Sequence, residues 1–299
     1  MKLAYCLGAC LVSVFIATAR IEAVGPCVAM PITQRAATSP PAPSPDSLSI
    51  ASLNMHHDGR VSDGVAAWVR ERGVDVLLLQ EVGDGSANGA ALADALSDRL
   101  GYHLAYAGVD RLGDAATQGL AILSRYPLND VRNYPLTYNR LSFRSRCRIA
   151  LGAVVATTVG PVQVTNVHLD TRINSGDRIA QLAPLLQAVS DVDGQQIIGG
   201  DFNTMNIGWF LSMLPFPYLQ RQAAAVRTWL EERGFHTPFI GGRPTFKFLG
   251  LPFKLDWLYL KRVEALDWSV DDVRFTDHRG VWARVRLIAS VGAERIAGS

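Results

Sequence analysis

The stretch QQIIGGDFNT, residues 195–204, joins a short apolar run to two glycines, an acid and an amide. The run Gln196–Ile198 predicts a buried strand, and Asp201 and Asn203 follow it closely. Ligands bind at the ends of strands in open α/β sheets, so these two side chains are candidates for a functional site. An acid or amide after one strand is also an ordinary turn former, and the stretch therefore needs partners elsewhere in the chain.

Polar side chains recur at or near the ends of other predicted strands. They are Asn54, Glu81, His168, Asp256 and the adjacent pair Asp277 and His278. Each alone has an ordinary structural interpretation, but acids, amides and imidazoles at so many strand ends are hard to explain as turns. The pattern predicts that these side chains converge on one site.

From Ser47 the chain alternates short β-rich runs with amphipathic helical stretches, which is typical of an α/β protein. The predicted strands are Leu48–Leu53, Val76–Leu79, Leu120–Leu123, Ile149–Thr157, Val162–Val167, Gln196–Ile198, Leu255–Leu260 and Val281–Leu287. The predicted helices are Val61–Arg72, Ala90–Leu100, Arg178–Val189 and Ala223–Arg233. Since no repeat or second linker interrupts this pattern, residues 47–290 are predicted to form one domain.

Composition excludes several classes of protein. The chain has 299 residues, of which 48% are hydrophobic and 19% charged, so it is too apolar to be disordered. Its formal net charge of +2 excludes a highly basic nucleic-acid binder. The part from Asp46 onward is formally neutral, which disfavours tight nonspecific binding to DNA and leaves small or lipid phosphoesters open as substrates.

The N-terminal segment predicts export. Residues 3–19 carry no charge and end in Ala17-Thr18-Ala19, which is typical of a signal peptide. An uncleaved membrane anchor and lipidation at Cys10 are the alternatives. Residues 1–19 are therefore assigned to a signal peptide or anchor, residues 20–46 to a Pro-rich linker and residues 291–299 to a tail. The protein is expected in the periplasm or secreted, or associated with a membrane if residues 3–19 are retained.

Cysteine usage follows from that assignment. Removal of the N-terminal segment leaves Cys27 and Cys147, too few for a disulfide scaffold. Cys147 is predicted to be a small buried apolar side chain.

Taken in order, these motifs resemble the endonuclease/exonuclease/phosphatase superfamily, which has the DNase-I-like fold. The motifs are Asn54, Leu-Gln-Glu81-Val, Gly-Leu-Ala-Ile-Leu-Ser-Arg125-Tyr-Pro, Asn-Val-His168-Leu, Gly-Gly-Asp201-Phe-Asn203-Thr, Leu-Asp256-Trp and Thr-Asp277-His278-Arg. The resemblance runs from about residue 48 to residue 287. It implies a four-layer α/β sandwich, with two mixed β-sheets packed face to face and helices on the outside.

The resemblance also implies a metal site and a general base. Glu81, helped by Asn54 and Asp277, would hold Mg²⁺, or Mn²⁺ in its place, because these are hard oxygen ligands. His278 would take a proton from the attacking water, with its imidazole oriented by Asp256.

Further residues would position the substrate. Asp201 and Asn203 match residues that orient the nucleophile and contact the scissile phosphate. His168 matches a histidine of the nuclease and sphingomyelinase branches that donates to a phosphoryl oxygen or helps the leaving group, and it disfavours the branch acting on abasic DNA. Arg148 is predicted to contact phosphate.

Two features near these residues have competing interpretations. Arg144, Arg146 and Arg148 alternate, so on a strand they would share one face and form either a phosphate-binding stripe or a charged edge. His56 stands where some relatives have an aspartate, which argues against a second metal site; with His57 and Asp58 it is expected to form a turn near the rim.

The predicted function is a Mg²⁺-dependent phosphoester hydrolase acting as a monomer on nucleic acid, a small phosphodiester or a phospholipid. A lipid-directed phosphodiesterase resembling neutral sphingomyelinases is one alternative, and a catalytically silent binding module is another. The apolar stretches 209–218 and 246–253 are poor helix or strand formers. They form either a hydrophobic rim suited to lipid or packing beneath a loop.

Overall fold

Two mixed β-sheets, of seven and five strands, form the centre of the protein. The computed structural model describes residues 31–37, 46–56, 62–83, 89–112, 115–141, 146–190, 194–217, 220–248 and 250–288. The predicted signal peptide, residues 1–19, and the predicted tail, residues 291–299, lie outside these ranges. Within the described ranges, no helix combines the length and apolar character that a membrane span requires.

The elements alternate along the chain as expected for this class. The strands are β1 (Ile32–Arg35), β2 (Ser47–Asn54), β3 (Val76–Val82), β4 (His103–Leu112), β5 (Ala115–Ser124), β6 (Leu128–Pro135), β7 (Ile149–Thr157), β8 (Gly160–His168), β9 (Gln195–Asp201), β10 (Ile207–Phe210), β11 (Leu214–Pro217), β12 (Phe246–Phe248), β13 (Leu251–Phe253), β14 (Asp256–Lys261), β15 (Val263–Asp271) and β16 (Gly280–Leu287). The helices are α1 (Ser62–Arg72), α2 (Gly89–Leu100), α3 (Ser175–Ser190) and α4 (Gln222–Glu231). Every predicted strand and helix overlaps one of these elements.

Strand order makes both sheets mixed. The larger sheet has the order β1-β4-β5-β3-β2-β16-β15, and the smaller has the order β14-β9-β8-β7-β6. Each contains one parallel pair, β2 with β3 and β8 with β9, among antiparallel neighbours. The strands β2, β3, β8 and β9, which carry candidate site residues at their ends, therefore form the two parallel pairs inside the sheets.

Alternating side chains of the central strands build the layers. Leu48 and Ile50 of β2 belong to the core between the sheets, whereas Ala51 and Leu53 pack outward against α1 and α2. Helices α3 and α4 cover the outer face of the smaller sheet through side chains such as Leu182 and Val226. Helix, sheet, sheet and helix thus form the predicted four-layer α/β sandwich.

Several edge elements differ from the sequence prediction. Residues 32–35, placed in the Pro-rich linker, instead form β1 and pair with β4 at the edge of the larger sheet. Strands β6 and β15 lie at sheet edges and contain partly exposed polar residues in place of an apolar run, so the sequence does not predict them. Strand β4 is also absent from the prediction, although it lies inside the larger sheet between β1 and β5.

The apolar stretches after Asp201 also differ from the prediction. They form two antiparallel hairpins, β10 with β11 and β12 with β13, although the sequence predicts poor strands there. Proline is tolerated because each hairpin has only two strands, so every strand has a free edge.

Candidate active site

Three candidate site residues lie side by side on the smaller sheet. His168 at the end of β8 is the register partner of Asp201 at the end of β9, and Asp201 is the partner of Asp256 at the start of β14. Asn54, at the end of β2 in the larger sheet, donates from Nδ2 to Oδ2 of Asp201 at 3.1 Å. The ends of both sheets therefore meet at Asp201.

The glycines before Asp201 allow this approach. Gly200 has φ +144°, and a Cβ there would overlap the carbonyl oxygen of Val167 on β8. A Cβ at Gly199 would meet the side chains of Leu258 and Leu78, which come from the two facing sheets. The Gly-Gly pair thus serves close packing of β9, and glycine is required at position 200.

His278 and Asp256 form a buried pair. Nδ1 of His278 lies 2.9 Å from Oδ2 of Asp256, and both residues are almost inaccessible to solvent. Burial opposes the charged imidazole, but the neighbouring Asp256, Asp201 and Asp277 carboxylates outweigh it and raise the pKa of His278 to about 10. The geometry places the proton of the neutral ring on Nδ1 and leaves Nε2 to accept a proton.

Asp201 is a second buried carboxylate, held by the backbone and side chain of Asn203. Oδ1 of Asp201 accepts from Asn203 N at 2.8 Å, and Oδ2 accepts from Asn203 Nδ2 at 3.2 Å. Burial, together with the charge of Asp256, raises the pKa of Asp201 to about 6. Nδ2 of Asn203 also donates to the carbonyl of Leu169, so this amide is held between Leu169 and Asp201.

Glu81 is aimed into the site by a β-bulge. The register of β3 against β5 shifts between Leu79 and Val82, and Glu81 itself has φ +53°. Its Oε1 accepts from Asn54 Nδ2 at 3.2 Å and lies 3.7 Å from Nε2 of His168. A left-handed backbone at both Glu81 and Asn203 is the kind of local strain that clusters at functional sites.

His168 is held from behind by Arg148 and Asp170. Nη1 of Arg148 donates to Nδ1 of His168 at 3.1 Å, and its Nε donates to Oδ1 of Asp170 at 3.1 Å. Burial and the Arg148 charge hold the pKa of His168 well below its usual value. Because a guanidinium only donates, Nε2 of His168 carries the proton and points toward Glu81 and Asp201.

This arrangement changes the predicted role of Arg148. The side chain is buried and its guanidinium contacts His168 and Asp170, which differs from the exposed phosphate contact that the prediction describes. The arginine stripe was conditional on a strand, and residues 146–148 precede β7 and are not in a strand. Arg144 lies outside the described residues. Asp170 was missed, although it stands two residues after His168 in the sequence.

Asp277 and His56 lie at the more open side of the site. Oδ2 of Asp277 is 3.3 Å from Nδ1 of His56, and both side chains are at least 40% exposed. Thr276 Oγ1 donates to the carbonyl of Asn54 at 2.9 Å, which ties this loop to β2. The loop that carries Asp277 therefore lies close to Asn54. His57 and Asp58 lie outside the described residues.

The donor set fits a divalent cation. Asp201, Asp256 and His278 each offer an atom within 4.8 Å of the others. Among the described residues, Oδ1 of Asp256 is buried without a hydrogen-bond partner, as expected of an oxygen that awaits a cation or water. Of the predicted ligands, Glu81 offers a carboxylate, whereas the Oδ1 of Asn54 accepts from His56 N at 2.9 Å. The carboxylates of Glu81, Asp201 and Asp256 are hard oxygen donors, which suit a hard ion such as Mg²⁺.

Residues 51–278 match the model of the Endonuclease/Exonuclease/phosphatase family, so the chain belongs to this family, whose members are phosphoester hydrolases. A family structure from Beutenbergia cavernae is similar at TM-score 0.64 and 20% identity, over 81% of this chain and 72% of that one.

Other solved structures share the fold. The 2',3'-cyclic phosphatase ANGEL2 is similar at TM-score 0.61 and 16% identity, over 81% of this chain and 95% of that one. An AP endonuclease from Archaeoglobus fulgidus is similar at TM-score 0.56 and 18% identity, over 79% and 98%. No curated protein matches the sequence.

Proposed function

We propose that this chain is a divalent-metal-dependent phosphoester hydrolase in which His278 activates the attacking water. The observation that carries the proposal is the buried His278–Asp256 pair, 2.9 Å apart, beside the second buried carboxylate of Asp201. A paired, oriented imidazole next to acidic oxygens is what a metal-assisted hydrolysis of phosphorus esters requires.

The chain's own residues divide the work as follows. Nε2 of His278 takes the proton from water, and Asp256 stabilises the imidazolium that forms. The Nε2–H group of His168, held by Arg148, donates to a phosphoryl oxygen or to the leaving group. Asn203 fixes the Asp201 carboxylate beside both histidines.

We assign the cation, Mg²⁺ or Mn²⁺, to Glu81, Asn54 and Asp277 and not to the Asp201–Asp256–His278 cluster, because Oδ2 of Asp256 already holds the His278 ring. Asp201 lies adjacent to this set. Nε2 of His278 is not assigned as a ligand, because it accepts the proton of the attacking water. Ligation by Asn54 would require its Oδ1 to leave the N–H of His56. When bound, the cation supplies positive charge that favours the neutral form of His278 and stabilises the phosphoryl oxygens.

The proposed substrate is a phosphodiester, and the protein is proposed to act as a monomer. The neutral folded part disfavours tight nonspecific binding to DNA. ANGEL2, a structural neighbour, is a 2',3'-cyclic phosphatase, which supports testing small phosphodiesters first.

We also propose that the protein is exported. Cys147 is disulfide-bonded, which corrects its prediction as a free apolar side chain. Disulfides persist in oxidising compartments, so this bond supports the signal-peptide interpretation of residues 1–19.

The test is hydrolysis of bis-p-nitrophenyl phosphate by the full chain. We expect turnover with Mg²⁺ or Mn²⁺, loss of turnover in EDTA and recovery when the metal is restored. Turnover that persists in EDTA would contradict metal dependence. No turnover of this ester, plasmid DNA or phospholipid under any metal would favour the silent binding module.

A further inference from the structure

Two hairpins beside the site carry most of the large apolar side chains that are exposed in the described part of the chain. We call β10–β11 with its turn and β12–β13 with its turn the hairpin platform. Six of the ten large apolar side chains that are exposed among the described residues lie on it: Phe210, Leu211, Leu214, Phe216, Phe248 and Leu251. Leu211 is 68% exposed and Phe210 is 57% exposed. Clustered apolar exposure of this kind marks an interaction surface.

A small core of its own joins the two hairpins. Ile207 of β10 packs with Phe253 of β13 and with Leu255, and all three are buried. Trp209 and Phe246 pack partly against this core. The hairpins are therefore held together, and the exposed side chains belong to one supported structure.

The platform adjoins the proposed catalytic pair. The ring of Phe246 on β12 lies 4.8 Å from the His278 ring, centroid to centroid. The neighbouring Thr245 Oγ1 accepts from the backbone N of Asp256 at 3.1 Å. A ligand that covers the platform is therefore brought close to His278.

Charge on the platform is of one sign. Residues 202–230 and 233–255 contain no Asp or Glu, and the only acids between them are Glu231 and Glu232 at the end of α4. Arg221, shortly after the first hairpin, and Lys247 on β12 are exposed. Apolar side chains with flanking cations suit the interface of an anionic lipid bilayer.

We infer that the hairpin platform docks on a phospholipid surface containing anionic lipid and presents headgroup phosphoesters to the site. The inference rests on the proposed function and names its substrate class. A second copy of the chain fits less well, because a two-fold interface would place an acid-free, cationic surface against itself. In a bilayer the exposed side chains enter the acyl boundary while Lys247 and Arg221 meet lipid phosphates.

A site-specific fluorescence experiment on the full chain tests this docking. Leu211→Trp and the control Leu266→Trp place the same fluorophore at two exposed leucines, the second on β15, an edge strand of the larger sheet outside the hairpin platform. Each spectrum is taken as the difference from wild type, which removes the native tryptophans. The probes are vesicles of brominated phosphatidylcholine, with or without about 30% phosphatidylglycerol as the anionic arm.

We expect the anionic vesicles to quench and blue-shift the difference emission of the Leu211→Trp variant while leaving that of the Leu266→Trp variant unchanged. Adding Lys247→Glu and Arg221→Glu should weaken this vesicle binding at least about tenfold, since each cation near an anionic surface contributes measurably.

Equal quenching in the two variants, or none in Leu211→Trp, would overturn the inference. Emission of Leu211→Trp that instead changes with protein concentration would overturn it in favour of a second copy as the occupant. Neither readout needs turnover, so failure of docking is distinguishable from failure of the proposed function.

Discussion

His168 and Asp201 are register partners at the ends of the parallel strands β8 and β9, and Nε2 of His168 lies 3.6 Å from Oδ2 of Asp201. The same ladder places Asp256 opposite Asp201 on β14. The backbone hydrogen bonds of the sheet thus fix the positions from which these three side chains project. Sites built on strands keep their geometry better than sites built on loops.

Gly200→Ala tests this strand packing. The added Cβ would overlap the backbone of Val167, and φ +144° is unfavourable for alanine, so we expect a loss of about 1–3 kcal/mol in unfolding free energy by urea titration. Gly176→Ala in α3 is the control, because nothing lies within 4 Å of its added Cβ. Equal stability of the two variants would refute the packing requirement.

Arg148→Met tests whether this arginine positions His168. We expect about a 10–100-fold loss of activity, the usual effect of removing a residue that orients a functional side chain. Because the Arg148 charge helps to lower the pKa of His168, the pKa measured by NMR should rise in the variant.

Arg132→Met, on the exposed strand β6, is the matched control for Arg148. It should leave both the activity and the His168 titration unchanged. If Arg148→Met lowers activity while the His168 pKa stays at its wild-type value, Arg148 acts by another route.

Asp256→Asn tests the charge pairing in metal-free protein. The folded pKa of His278, about 10, exceeds its ordinary value of 6.5, so the pair stabilises the fold fully below about pH 6.5 and loses this contribution as the pH rises through 10. The difference in unfolding free energy between wild type and Asp256→Asn should therefore shrink from pH 7 to pH 10. A difference that is constant or grows over this range would show that His278 is not held protonated.

Sequence reasoning predicted the centre of the fold better than its edges. Strands such as β7 are buried on both faces, so their apolar runs are unambiguous, and Ile149–Thr157 agrees with its prediction at both ends. The edge strands β1 and β6 contain no fully buried residue and β15 contains one, so polar or exposed positions hide their pattern. Their pairing depends on partners distant in sequence.

The candidate site likewise has some contacts that sequence reasoning predicts and others that depend on tertiary packing. The family resemblance pairs His278 with Asp256, and the structure places the two side chains in contact. The contact of Arg148 with Asp170 could not be found by spacing, because 22 residues separate them and only burial shows that the arginine faces inward. The exposure of the hairpin platform likewise depends on tertiary packing, since apolar composition alone fits either a rim or a covered loop.

The most direct test of the central claim compares His278→Ala with His236→Ala in the hydrolysis of bis-p-nitrophenyl phosphate at saturating Mg²⁺. His236 is an exposed histidine that pairs with Leu260 through its backbone, away from the site. Loss of a general base costs about 10²–10⁴-fold in rate, so kcat should fall by that factor in His278→Ala and stay at the wild-type value in His236→Ala. Wild-type turnover by a folded His278→Ala variant would contradict the assignment of His278 as the base.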